Sequence, residues 1–122
     1  PVLFKTGQSE LTEDFQEKLT EAATKLSHYP YHRLVIHANV SPGSDPEIDR
    51  QLSEQRALSI KGFLVNGCQL NENRIHSEGL GSQNLPTKFP DESDRAWKRR
   101  CRRAKIFLVL DPALRGSVNR QP

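Results

Sequence analysis

Asp49-Arg50-Gln51-Leu52-Ser53-Glu54-Gln55-Arg56-Ala57 opens an amphipathic run that continues to Leu64. Ala57, Ile60 and Leu64 recur at helical steps, so they share one face that can be buried. Just ahead, Asp45-Pro46-Glu47 reads as a helix start. Aspartate accepts from free first-turn amides, and proline fits the first position, where no amide hydrogen is needed. Asn66-Gly67 supplies the stop. Arg56 is the unusual residue of this helix. Its planar fork can hold a carboxylate or phosphate through two parallel hydrogen bonds. The plainer alternative is an arginine paired with a neighbouring acid or left in solvent.

On the N-terminal side, Val2-Leu3-Phe4 reads as a short strand that turns away through Gly7. Thr12-Glu13-Asp14 is a capped, acidic first turn. Phe15, Leu19, Ala22, Ala23 and Leu26 then form an apolar stripe at helical spacing, and Tyr29-Pro30-Tyr31 ends the helix. Residues 33–38 read as a buried strand, and Ser41 to Pro46 as a loop dense in turn formers. On the C-terminal side, residues 74–78 are the next strand candidate, followed by Gly79-Leu80-Gly81. Residues 82–90 carry two prolines and no periodicity, which predicts a loop. A short helix is expected within 91–100, with Ser93 as cap, and a last strand over 104–110. Strands alternating with helices imply crossover connections and a sheet covered on one face.

A chain of 122 residues holds one domain with a single core. A mean hydropathy of −0.70 implies a modest core under a polar surface. No apolar run approaches the roughly 20 residues of a membrane span. The chain begins at Pro1 without Met, which suggests a domain trimmed from a longer protein. Any membrane attachment is then expected through a segment outside it.

Several chemistries lack their residues. There is no phosphate-binding loop, no H-E-x-x-H and no C-x-x-C. Ser53 has no flanking glycines of a nucleophile elbow. His28, His32, His37 and His76 are scattered, so no metal site is expected. No nucleophile–base pairing and no cofactor motif is visible, which points away from an enzyme. Cys68 and Cys101 are too few for a disulfide scaffold; they form one disulfide or two thiols. The strongest charge anomaly is Lys98, Arg99, Arg100, Arg102, Arg103 and Lys105 within eight residues. Such a run is either an anion-binding patch or a solvated face balanced by Asp91, Glu92 and Asp94. Without interleaved aromatics it argues against nucleic acid.

Phe4, Gly7 and Leu11, then Asp49-x-x-Leu52-Ser53-x-x-Arg56-Ala57, then Arg74-Ile75 with Gly79-Leu80-Gly81, then Arg102-Arg103-x-x-Ile106, occur in the order of a known pattern. Over residues 2–110 the chain resembles the OmpA-like domain family. The resemblance implies an α+β fold, β-α-β-α-β-(loop or short helix)-β, with a mixed four-stranded sheet backed by helices. It makes residues 1–110 the domain and 111–122 a C-terminal tail expected to fray. It implies a periplasmic, non-catalytic domain that binds peptidoglycan non-covalently through the diaminopimelate of the stem peptide. Such domains anchor outer-membrane, flagellar-motor or secretion-system proteins to the wall.

The resemblance also assigns residues. Arg56 matches the arginine that grips the diaminopimelate carboxylate, and Asp49 stands where the family has asparagine. Arg103 matches the second arginine of the end motif, which borders the same groove. Cys101 replaces that motif's asparagine, and Ala104-Lys105 replace Val-Glu. The family strand ends in G-H-T-D, whose aspartate holds the ligand's ammonium. Here Ala38-Asn39-Val40-Ser41 puts Ser41 in its place, or Val40 if the loop shifts by one. Losing that charged hydrogen bond costs about 1.5–3 kcal/mol, or roughly 10- to 100-fold in affinity. Asp45, Glu47 and Asp49 are the candidates for a substitute carboxylate. The alternative is a degenerate module that keeps the fold, has lost the ligand and serves envelope-protein assembly.

Overall fold

In the computed structural model, which describes residues 2–3, 11–43 and 45–114, the first helix, α1, spans Glu13–Leu26. Thr12 caps it, its Oγ1 accepting from the Phe15 amide at 3.2 Å. The predicted stripe is the buried face: Phe15, Leu19, Ala23 and Leu26 are enclosed, with Ala22 at its margin. Strand β1 is Val2–Leu3 and β2 is His32–Ala38. Phe4, Gly7 and Ser44 lie outside the described residues.

Helix α2 runs Pro46–Gly62 and starts as the sequence predicts. Asp45 accepts from the Glu47 amide at 2.9 Å. Its end differs. The helix widens into a π turn at Phe63–Gly67, closed by Cys68 N donating to Phe63 O at 3.1 Å. Leu64 stays in the core through that turn. Strand β3 is Ile75–Gly79, α3 is Asp94–Cys101 and β4 is Arg103–Leu110. Ser93 caps α3 through the Ala96 amide at 3.1 Å.

The strands lie in the order β1-β4-β2-β3. β2 and β3 are parallel, joined by the α2 crossover, and β4 pairs antiparallel with β2 from Ala104 to Leu110. The mixed α+β class is as expected, but of the four strands anticipated only three are substantial. Three strands form its body, and β1 adds only the pairs Val2–Ala104 and Leu3–Arg103. Leu34, Ile36 and Ala38 alternate onto the helical side of β2 and meet Leu19, Leu26, Ile60, Leu64 and Ile75. Truncating a fully enclosed leucine here, such as Leu19→Ala, costs about 2–5 kcal/mol. The tail expected at 111–122 lies outside the described residues from 115 onward. Before that, Asp111 N donates to Tyr31 O at 2.8 Å.

Candidate functional site

The parallel strands β2 and β3 end beside the start of α2, where three backbone segments meet. Gly79 closes β3 against the helix. A Cβ there would lie 2.4 Å from Glu54 N and 2.6 Å from Ser53 Oγ. Two residues on, Gly81 turns with φ of +58°, a conformation that glycine adopts without steric cost. Its amide donates to Ser53 Oγ at 2.8 Å, and that hydroxyl donates to Arg50 O at 2.7 Å. The Leu52-Ser53-x-x-Arg56-Ala57 element and Gly79-Leu80-Gly81 are therefore two halves of one junction.

Asn39 ties that junction to the rest of the sheet. Its Nδ2 donates to Gly81 O at 3.2 Å and to Gln83 O at 2.8 Å. Its amide donates to Arg103 O at 2.8 Å, and its carbonyl accepts from Arg56 Nη1 at 3.1 Å. Arg56 is fully enclosed, at 0% exposure. Burial, and next the nearby charge of Arg102, bring its pKa down to about 10. It remains a cation near neutral pH. Arg56 thus lies within the folded body, below the loop that leaves β2.

The other assigned residues sit around this loop. Asp49 is buried and turned inward, its Oδ2 accepting from the Gly43 amide at 3.0 Å. A Cβ on Gly43 would lie 2.8 Å from Asp49 Oδ1, so a side chain there would have to displace the carboxylate. Val40 is buried at 2% exposure, whereas Ser41 is half-buried. Neither brings a carboxylate. Asp45 is exposed but serves as the α2 cap, and Glu47 is held by Arg50. Arg103 points elsewhere, its Nη2 donating to Asn84 O at 3.0 Å, and burial lowers its pKa. Of the arginine pair, Arg102 is the one whose charge reaches Arg56.

Asn39 is a site residue to which the sequence pattern gave no role; Ser53, Gly79, Gly81 and Arg102 stood in the quoted motifs without a part in this junction. Ser53 and Arg56 are three residues apart on the helix, and Ile60 follows at the next step. The signal for their burial was present in the spacing.

The basic run divides: Arg99, Arg100 and Arg102 line one cavity with Arg95 and Glu92, and the rest lie outside it. Lys98 and Arg99 are exposed on α3, but Arg100 is spent: its Nε and Nη2 each donate to Glu92 at 2.6 Å. Its guanidinium also lies 4.3 Å from the centre of the Phe89 ring. Arg103 and Lys105 lie on β4. The run crosses from helix to strand, which turns its members in different directions.

The cysteine alternative resolves as two free thiols rather than a disulfide. Cys68 follows the π turn with its Sγ 3.9 Å from Thr20 Oγ1, whereas Cys101 is enclosed at the end of α3. Burial pushes the Cys101 thiol up, with Arg103 pulling against it. Two of the histidines do converge: His37 and His76 approach Glu78 at 3.8 and 3.9 Å on the outer sheet face. Among the described residues no group of three His, Cys, Asp or Glu is placed to hold a metal.

Residues 3–99 match the OmpA family. The chain is 26% identical over 99 residues to outer membrane protein Omp38 of Acinetobacter baumannii, covering 81% of this chain and 28% of that protein. It therefore spans little more than a quarter of that curated relative. Its fold is similar to that of the peptidoglycan-associated lipoprotein of Burkholderia pseudomallei, with TM-score 0.75 and 19% identity. That match covers 88% of this chain and 87% of the other. It is also similar to the C-terminal domain of Helicobacter pylori MotB, with TM-score 0.75 and 16% identity, over 96% and 89% of the two chains. The chain belongs to the OmpA family.

Proposed function

We propose that this OmpA-family domain associates non-covalently with peptidoglycan, at the loop that covers Arg56, and so tethers a larger envelope protein to the wall from the periplasm. One observation carries the reading. Arg56 is kept as a buried cation beneath the 39–43 loop, held by Asn39 O and packed by the Leu52-Ser53-x-x-Arg56-Ala57 element. A guanidinium in that position attracts a stem-peptide carboxylate, and its charge is weakly screened because it is out of water. Ser41 supplies a half-exposed hydroxyl at the rim. Asp45 is the exposed carboxylate nearest along the chain for the ligand's ammonium. Since Arg56 has no exposed surface, direct contact with it requires the cover to open, and that cost weakens binding.

Co-sedimentation with purified sacculi tests the reading. Wild type should pellet with sacculi, and Asp45→Asn should pellet less. Arg56→Lys, checked for folding by circular dichroism, should lose most of the bound fraction, because a lysine cannot reproduce the fork. Wild type left in the supernatant, or undiminished binding by folded Arg56→Lys, contradicts it.

A second reading is favoured by a different observation. Val40 is buried, Ser41 carries no charge and Arg56 is fully enclosed. A module that has kept its frame and lost its ligand fits those facts, and it would act in envelope-protein assembly. Saturable binding of a diaminopimelate-containing muropeptide separates the two, since only the first predicts it.

A further inference from the structure

Helix α3 presents a row of arginines away from the core. Arg95 and Arg99 are four residues apart, and Arg102 follows three further on, at the helix cap. Those steps put side chains on one face, where like charges repel. Arg95 and Arg99 are exposed and Arg102 is half-buried. The opposite side of the helix is anchored. Cys101 is enclosed, and Trp97 Nε1 donates to Pro86 O at 2.7 Å.

Arg95, Arg99 and Arg102 line an open furrow of about 680 Å³ together with Arg100, Glu92 and Ser93. The acid of that lining, Glu92, is held by Arg100 through two donors at 2.6 Å. Arg100 keeps the Glu92 carboxyl below the usual carboxylate range, so the pair persists at neutral pH. Arg100 Nη2 also donates to Thr87 O at 2.8 Å, which fixes this wall to the preceding loop. Among the described residues no acid pairs with Arg95 or Arg99, and the neighbouring Asp94 pairs with Lys88. The furrow is therefore strongly positive.

We propose that this furrow binds a phosphate-rich anion, a phosphomonoester or a diphosphate, through Arg95, Arg99 and Arg102. A guanidinium donates two parallel hydrogen bonds to a phosphate. A carboxylate holds its acceptors in one plane and satisfies one fork. A tetrahedral phosphate offers acceptors in several directions and serves more than one. The row from Arg95 to Arg102 spans about 10 Å of helix, room for a second phosphate beside the first. An anion there turns the repulsion within the row into attraction. It requires no opening of the fold, because the row stands on the surface of an anchored helix. Ser93, whose Oγ accepts from Ala96 N, can donate its own hydrogen to the same anion. Among the described residues no aromatic ring lines the furrow to stack a base, which favours a phosphate group over a nucleic-acid strand. Arg56 is not in the lining, so anion binding here is independent of the peptidoglycan reading.

The test titrates the isotope-labelled 122-residue chain with inorganic pyrophosphate, against sodium chloride at matched ionic strength. The side-chain Nε–H resonances of Arg95, Arg99 and Arg102 should shift saturably with pyrophosphate and not with chloride. Replacing both exposed arginines, Arg95→Gln with Arg99→Gln, should weaken binding by about tenfold or more. Lys18→Gln with Lys25→Gln removes the same charge from α1 and should leave the affinity within about twofold, since distant surface charges are screened. Co-sedimentation with phosphatidylcholine vesicles carrying phosphatidate identifies the source of the phosphate. Capture that the arginine variant loses assigns a lipid headgroup; saturable pyrophosphate binding without capture assigns a soluble phosphate. Either result sustains the site. Shifts that chloride reproduces, unchanged pyrophosphate affinity in the arginine variant, or an equal loss in the lysine variant overturns it.

Discussion

Two arginine-bearing regions differ sharply in what their charge does. The run from Lys98 to Lys105 carries six cations in eight residues, and most of them are exposed, paired with a nearby acid or bound to a carbonyl. The stretch from Asp49 to Ala57 carries one arginine that matters, Arg56, and the fold closes completely around it. The difference lies in periodicity. Arg56 falls on the apolar face of α2 with Ser53, Ala57 and Ile60, so packing the helix necessarily encloses it. The basic run spans the end of α3 and the start of β4, and the cavity that Arg99, Arg100 and Arg102 line is open to solvent. A lone cation in an apolar stripe is the stronger pointer to a built site than a dense run of charge.

That contrast can be broken by substitution. The largest loss is expected at Gly79→Ala or Arg56→Ala. The first drives a Cβ into the α2 backbone, at about 3 kcal/mol or more. The second leaves a cavity and strands Asn39 O, at about 2–4 kcal/mol. Urea unfolding of the purified variants measures both. Asp49→Asn, which restores the family's usual residue, keeps an acceptor for the Gly43 amide and should cost about 1 kcal/mol or less. Lys98→Ala and Arg99→Ala should each stay within about 0.5 kcal/mol of wild type. If the basic-run variants unfold as readily as Arg56→Ala, the contrast between the regions fails.

The cysteines sharpen the same contrast between buried and accessible groups. Native alkylation should modify Cys68 first and Cys101 only on unfolding, read as stepwise mass increments. The sign of the pH effect follows from burial. The folded Cys101 thiol resists ionisation beyond its ordinary value of 9.0, whereas the unfolded thiol ionises there. The folded state thus loses stability as pH rises above about 9, and Cys101→Ala should flatten that loss.

Much of the fold is legible from local signals. Thr12, Asp45 with Pro46, and Ser93 each cap the helix their sequence predicts, because capping needs only residues a few positions apart. The π turn at Phe63–Gly67 is not legible, since it depends on how distant elements pack. The candidate site divides the same way. Arg56 and Asp49 are recognisable through the Asp49-x-x-Leu52-Ser53-x-x-Arg56-Ala57 resemblance. Asn39 is not: its role comes from meeting Gly81, Gln83, Arg103 and Arg56, segments far apart in the chain. Arg102, whose charge reaches Arg56, caps the end of α3, whereas Arg103 opens β4 and donates to Asn84 O.

The most direct measurement is a titration of the isotope-labelled 122-residue chain with a diaminopimelate-containing muropeptide. The amides of Asn39, Ser41 and Gly43 and the Arg56 side-chain Nε–H would be followed by NMR. Association at the covered arginine predicts saturable shifts concentrated on those groups. Shifts centred on residues 98–105, or none that saturate by millimolar ligand, would contradict it.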